Sequence, residues 1–403
     1  RRSTPRRQAA LATLVLLVAG VVGPITTSAT TDDVSDRGRA SGLPTPPMRE
    51  LAHARHVWFG TATSPDLLRD EADYAAVVGE QFDLIEPENA MKWEGIHPAR
   101  GRYDFTGGDS IAAFAEAHGQ AVRGHTLVWH QQNPRWLTAL TPTRAEAIAV
   151  LSDHISTVVG HYRGRVAEWD VVNEALDDAS SGLRVTFWRQ WIGDDYLDIA
   201  FRLAHEADPE ARLVYNDYDA AGVGAKSHRI VALAAAMKRR GVPIDGVGLQ
   251  FHVFGDIDEV ALAGLMGEAQ DAGLTVSITE LDVSRVLPVS PRSLEEQAER
   301  FGAVVRGCVA AAPTCTTVNL WGFTDRHSWV PATFPGLGAA TPLDEHLLPK
   351  PAWSAVRKAF TEPPSAPTTS TTTSPLASTT TAAPGAAPAT PAVAVHGTAN
   401  FTG

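Results

Sequence analysis

The chain has 403 residues, 44% of them hydrophobic and 20% charged, with a formal net charge of −12. That is the composition of an ordinary globular protein, with room for one large domain or two smaller ones. A surface so acidic repels phosphate, which argues against nucleic acid and anionic membranes as partners and fits a neutral or cationic substrate, or simply solubility.

In chain order, Arg1, Arg2, Arg6 and Arg7 precede an apolar run from Ala9 to Gly23, and small residues follow at Thr27, Ser28 and Ala29. This charge order and length are those of a signal peptide over residues 1–29, with a membrane anchor as the alternative. Its removal would take the net charge from −12 to −16. Residues 30–46 read as a disordered lead-in. From 47 to 362 short β-rich runs alternate with longer helical stretches; the runs start at His56, Phe82, Ala121, Val166, Arg212, Asp245, Thr275 and Thr316. Amphipathic helices are predicted between them, for example over 145–162 and 294–311, and a last helix starts at Pro351. Eight strand–helix units predict an α/β fold, a single (β/α)8 TIM barrel. A doubly wound open sheet is the alternative, but no GxGxxG opens a helix. Cys308 and Cys315, with six residues between them, read in an exported protein as a disulfide closing a small loop, or else as two buried thiols. Residues 363–403 consist largely of Pro, Thr, Ser and Ala without a single Asp, Glu, Lys or Arg. Such a tract buries no core and reads as a linker or tail.

The predicted strands share a pattern: each begins apolar and ends in polar or aromatic residues. These ends carry Glu88 and Asn89, His125, Trp129, Asn173 and Glu174, Asn216, Gln250, His252, Glu280 and Asp282. In this barrel active sites gather at the carboxyl ends of the strands. The stretch WDVVNEALDD, from Trp169 to Asp178, presents Glu174 at the end of the fourth strand; TVSITELDV presents Glu280 at the end of the seventh. One such glutamate alone would read as a salt bridge or a helix cap. Two across one barrel mouth suit acetal cleavage, in which one protonates the leaving oxygen and the other meets the oxocarbenium-like centre. Partial burial and mutual repulsion are expected to keep one protonated while the other is ionised. Asn173 offers an amide to a sugar hydroxyl, unless it merely caps backbone. His252 is placed to orient Glu280, and Asp282, on the same strand face as Glu280, to fix the histidine tautomer. Trp93, Trp129, Trp321 and Trp329 are expected to stack on sugar rings, whereas Trp188 and Trp191, inside a helix, are expected in the core. His125 and His130 do not have a zinc-ligand spacing and no GxSxG is present, so neither a metal nor a serine nucleophile is expected.

These segments resemble glycoside hydrolase family 10, the retaining endo-β-1,4-xylanases. The resemblance covers about residues 47–360 and takes in FGTATSPDLL (Phe59), EPENAMKWE (Glu86), RGHTLVWHQQNPRWL (Arg123), YNDYD (Tyr215), GLQFHV (Gly248) and NLWGFTDRHSWV (Asn319). It implies Glu174 as acid/base and Glu280 as nucleophile. It further implies sugar-binding roles for Glu88, Asn89, Lys92, His125, Trp129, Asn173, Gln250, His252, Trp321 and Trp329. The expected partners are xylan and xylo-oligosaccharides, with no cofactor and a monomeric, exported enzyme. Two departures from the family pattern are Phe251, where a small polar residue is usual, and Asp219, where Asn is common. The Cys308–Cys315 spacing resembles a disulfide of bacterial members. The resemblance leaves open another β-1,4-glycan as substrate, such as cellulose or aryl cellobiosides. A non-catalytic xylan-binding protein on the same barrel is the rival outside the enzymes.

Overall fold

The computed structural model describes residues 42–218 and 221–363. The expected leader, most of the lead-in, the tail beyond Pro363 and the departure at Asp219 lie outside the described residues.

All eight predicted strands form, β7 over the whole of its run and the others shorter than theirs: β1 (Trp58–Thr63), β2 (Leu84–Pro87), β3 (Ala121–Gly124), β4 (Glu168–Asn173), β5 (Arg212–Asp217), β6 (Gly246–Leu249), β7 (Thr275–Val283) and β8 (Cys315–Leu320). Each pairs in parallel with its neighbours, and β8 closes the ring by pairing with both β7 and β1. Parallel strands buried on both faces favour apolar residues, and Val, Ile or Leu occurs in every strand but β1. Closure brings the last residue of each strand to one rim, which is what gathers residues distant in sequence.

The strand interiors hold a surprise. The runs were expected to begin apolar, yet Glu86, Arg123, Glu168 and Asp170 sit inside the barrel with no exposed surface. Small residues make room for this polar filling. A Cβ at Gly60 would lie 2.3 Å from Asn319 Oδ1, and one at Gly248 would lie 2.3 Å from Asn216 Oδ1.

The helices confirm the amphipathic readings. α1 (Arg144–His161) begins with a capping box in which Thr143 Oγ1 accepts from the Glu146 amide and Glu146 Oε2 accepts from the Thr143 amide at 2.8 Å. It was expected over 145–162. α2 (Ala225–Arg239) follows β5, and α3 (Pro291–Ala310) begins three residues before the expected 294. α4 (Pro351–Thr361) places Trp353 and Phe360 against Phe59, with ring centroids 6.3 and 5.6 Å away. Trp188 is in the core as expected, and Trp191 packs partly buried against it. Part of the lead-in belongs to the ordered body: Leu43 is buried, and the carbonyls of Pro44, Thr45 and Pro46 all accept from Arg357 of α4.

Cys308 and Cys315 are joined, so the disulfide ties the last turn of α3 to the first residue of β8. Thiol labelling of the denatured, unreduced protein should find no free cysteine, and two labelled thiols would contradict the bond. Because the loop is small, replacing both cysteines by Ala should lower stability by only about 2 kcal/mol in urea unfolding.

Candidate active site

The floor of the site is a buried ion cluster. Arg123, from β3, reaches Glu168 with one terminal nitrogen and Asp170 with the other; its Nε lies 3.3 Å from Asp170 Oδ2 and 3.6 Å from Glu86 Oε2. His125 Nδ1 adds a contact to Asp170 Oδ2 at 2.9 Å. Unpaired, three carboxylates in a dry interior would be prohibitively costly. Burial still drives the Glu86 carboxyl well above its ordinary range, against the pull of Arg123. Among the described residues Glu86, His125 and Asp170 are the one trio whose ligand atoms gather closely enough for a metal. The guanidinium already supplies the cation at that place.

From this floor a chain of hydrogen bonds climbs to the rim. Asn319 Nδ2 donates to Glu86 Oε2 at 2.8 Å and to the Thr279 carbonyl at 2.7 Å. The hydroxyl of Thr279 donates to Asn216 Oδ1 at 2.8 Å, which leaves the Asn216 amide nitrogen to donate to Glu280 Oε1 at 2.8 Å and to Asn173 Oδ1 at 2.9 Å. Asn216 thus joins the segments that carry the two glutamates.

Glu280 lies near the end of β7, almost wholly buried. His252 Nε2 sits 3.1 Å from its Oε2, and His252 Nδ1 sits 2.9 Å from Asp282 Oδ2, which also accepts from Trp329 Nε1 at 2.8 Å. The expected orienting triad is therefore present. Burial would discharge His252, but Asp282 and Glu280 outweigh it and push the imidazole up to about 10, so it is protonated and donates from both nitrogens. Burial would likewise raise Glu280, yet the His252 hydrogen bond and charge, with help from His125 and Asn216, hold it below the usual carboxylate range. Glu280 is ionised at neutral pH.

Glu174 receives opposite treatment. It follows β4 in the left-handed region, φ 57°, a conformation that costs a non-glycine residue energy and is retained where function requires it. Its amide still donates to the Asn216 carbonyl at 2.8 Å, and Arg184 Nε donates to its carbonyl at 3.3 Å. The carboxyl group accepts from Trp129 Nε1 at 2.9 Å and Gln250 Nε2 at 3.1 Å. Burial, then the charge of Asp217, raise it to about 7, whereas Glu280 contributes less. Mutual repulsion of the two glutamates, expected to separate them, is thus a minor cause; their surroundings do most of the separating.

Ten of the expected residues line a single hollow at the rim: Lys92, His125, Trp129, Asn173, Glu174, Gln250, His252, Glu280, Trp321 and Trp329. Asp282 stands behind His252. Glu88 lies in the adjoining hollow with Tyr74 and His327, sharing Trp321 and Trp329 as a common wall. Asn89 Oδ1 accepts from Lys92 Nζ at 2.9 Å, and burial lowers Lys92 to about 8 against the pull of Glu280 and Glu88. The Lys92 ammonium sits 4.9 Å from the Trp129 ring centroid and 5.7 Å from that of Trp321.

Trp93 departs from expectation. It is buried away from the hollow, donating from Nε1 to the Leu127 carbonyl and stacking on His154 with ring centroids 3.5 Å apart. A tryptophan just after a strand end looks the same in sequence whichever way it turns. Phe251, flagged as a departure, belongs to the apolar core, φ 58°, while its neighbours Gln250 and His252 face the hollow. The sequence marks Asn216 only as one polar strand end and gives no role to Asp217 or to the Arg123 cluster, although all but Glu168 lie in quoted segments. Strand register, which places Asn173 opposite Asn216, is the missing signal.

An ionised carboxylate and a carboxyl near 7 facing one sugar-sized hollow at the top of a (β/α)8 barrel define a glycoside hydrolase. Comparison with known proteins narrows this: the profile of Glycosyl hydrolase family 10 matches residues 47–359, and the chain belongs to that family. It is 41% identical over 302 residues to an endo-1,4-beta-xylanase of Agaricus bisporus, covering 74% of this chain and 90% of that one. Endo-1,4-beta-xylanase B of Thermotoga neapolitana is 38% identical over 322 residues, with 78% and 92% covered. Among solved structures, xylanase 10B from Thermotoga petrophila in complex with xylobiose superimposes with a TM-score of 0.76 at 40% identity, covering 79% of this chain and 98% of that one.

Replacing Arg123 by Met should strand the buried carboxylates and cost about 3–5 kcal/mol in urea unfolding. A loss below about 1 kcal/mol would show that the cluster is not held by its guanidinium.

Proposed function

We propose that this chain is an endo-1,4-β-xylanase that cleaves internal bonds of xylan with retention of configuration, with Glu280 as nucleophile and Glu174 as acid/base. One observation carries the assignment of roles: protonated His252 and Asn216 hold Glu280 charged, while burial and Asp217 keep the proton on Glu174.

In the first step a Glu280 oxygen attacks the anomeric carbon from the α face. The bond to the leaving chain breaks and its oxygen takes the proton of Glu174, leaving a glycosyl ester on Glu280. Esterification removes the Glu280 charge, so Glu174 is now a free carboxylate facing a neutral neighbour. In the second step Glu174 takes a proton from water, whose oxygen attacks the same carbon from the β face and expels Glu280 as carboxylate. The β anomer results. On this reading Asn173 contacts the hydroxyl next to the reacting carbon and Trp129, Trp321 and Trp329 stack on the sugars; all four line the hollow. Lys92 lies against Trp129 and Trp321 in the hollow, and the choice of xylose, which lacks the hydroxymethyl group of glucose, rests on the xylanase relatives. The reading extends to export by the leader at 1–29, a monomeric enzyme and a bacterial origin. The arginine-then-apolar order of that leader and the Cys308–Cys315 bond support export, and the spacing of that bond supports the origin.

Reducing-sugar release should be strong on xylan and weak on carboxymethylcellulose; the reverse ranking would reassign the substrate. Glu280→Ala should abolish turnover of every substrate, and added azide should then give an α-glycosyl azide from an activated aryl β-xyloside. Glu174→Ala should spare the first step for good leaving groups, lose activity on xylan by about 10²-fold or more, and give the β-glycosyl azide. Exchanged azide products would exchange the roles.

A further inference from the structure

Asp217 ends β5 with no exposed surface. Because Asn173 pairs with Asn216, Asp217 stands one step beyond that pair, beside the turn that carries Glu174. Its Oδ2 accepts from the Leu176 amide at 3.2 Å and from the Tyr215 hydroxyl. Its Oδ1 accepts from the Tyr218 amide at 2.9 Å and lies 3.1 Å from Lys226 Nζ. Lys226, in the first turn of α2, is itself buried; it sits 3.2 Å from the Tyr218 ring centroid and 2.7 Å from Asp178 Oδ1. Asp178 also takes Arg184 at 2.9 Å. Asp178 therefore has the shorter contact with Lys226 and a second cation of its own, so Asp217 is the less neutralised of the two acids. Part of its charge is left to act on its surroundings.

Beyond its direct partners Tyr215 and Lys226, one of the groups it acts on is Glu174. Around that carboxyl group stand Trp129 and His130 from the loop after β3, Gln250 after β6 and Glu280 on β7, with Lys92 lining the same hollow and Arg184, from the loop after β4, on the Glu174 main-chain carbonyl. Of the acids acting on Glu174, Asp217 has the larger effect, ahead of Glu280. The same carboxylate is tied to the Leu176 amide, two residues past Glu174, so its attachment also fixes the left-handed turn.

We propose that Asp217, anchored by Lys226, Tyr215 and the Leu176 amide, is a positioning residue for Glu174, whose charge keeps the proton on that carboxyl group until the leaving oxygen takes it. The inference rests on the acid/base reading of Glu174. A negative neighbour favours the protonated form, so removing the charge makes Glu174 lose its proton at lower pH.

The test is the pH profile of Asp217→Asn. For xylan the alkaline limb of kcat/KM should move down by about one pH unit, with the acidic limb in place. For an aryl β-xyloside whose leaving group needs no proton, the alkaline limb of kcat/KM should stay put. Introduced into Glu174→Ala, the same substitution should leave the aryl-xyloside profile unchanged. Should the asparagine variant fail to fold, as judged by near-UV circular dichroism, Asp217→Ser carries the same expectation. Equal losses on both substrates with both limbs unmoved would reduce Asp217 to a scaffold residue and overturn the proposal. If Glu174→Ala itself cleaves xylan normally, the acid/base reading has failed instead, and the two failures are told apart by that variant.

Discussion

Arg123 has no exposed surface, and the three carboxylates of Glu86, Glu168 and Asp170 lie around it inside the barrel. The rest of the site depends on this arrangement. A TIM barrel is usually filled by layers of branched apolar side chains. Here a polar layer replaces part of that filling, and it is tolerable because Arg123 contacts Glu168 and Asp170 while burial favours the neutral form of Glu86. Its geometry is inherited upward: Glu86 fixes Asn319, Asn319 and Thr279 fix Asn216, and Asn216 delivers a hydrogen bond to Glu280. The nucleophile is thus held from below by a rigid polar column as well as from the side by His252.

Two glutamates of the same chemistry, both nearly buried, end in opposite protonation states. The difference lies in their neighbours. Glu280 meets a protonated imidazole and an amide donor; Glu174 meets an indole, an amide and, beyond them, an aspartate that Lys226 only partly neutralises. Burial raises both, so hydrogen bonds and local charges decide the sign of the outcome. Separation by environment has an advantage over separation by mutual repulsion. Below a pH of about 7 Glu280 is charged and Glu174 protonated before a substrate arrives, and the charge of Glu280 is only a minor cause of that difference.

The site is assembled at some expense of local comfort. Glu174 adopts φ 57° and Phe251 φ 58°, conformations that cost non-glycine residues of order 1 kcal/mol or more each. Both lie at the rim, just past strand ends, where the chain leaves the ladder. Arg184 braces the first of these turns by binding the carbonyls of Glu174 and Leu176, both at 3.3 Å. The second lets the residues flanking Phe251 face the hollow while its own ring fills the core. Strain of this kind is sustained by a surrounding barrel whose strands are buried on both sides.

The sequence alone determined the eight-fold strand–helix rhythm, the two glutamates and nearly all of the rim residues. Apolar periodicity and polar strand ends are local properties, and a closed parallel barrel converts strand ends into one site whatever the details of packing. It did not determine which way Trp93 turns, because a strand-end tryptophan is apolar enough for the core and polar enough for the rim. Nor could it reveal Arg123 as the centre of a buried cluster, since its partners lie on the flanking strands β2 and β4 and meet it only through strand pairing and register. The role of Asn216 and the cause of the Glu174 proton affinity were likewise settled by tertiary structure. Register places Asn216 against Asn173, and α2 brings Lys226 to Asp217. Electrostatics in a dry interior depends on ångström distances between residues far apart in the chain, and those distances exist only once the barrel has closed.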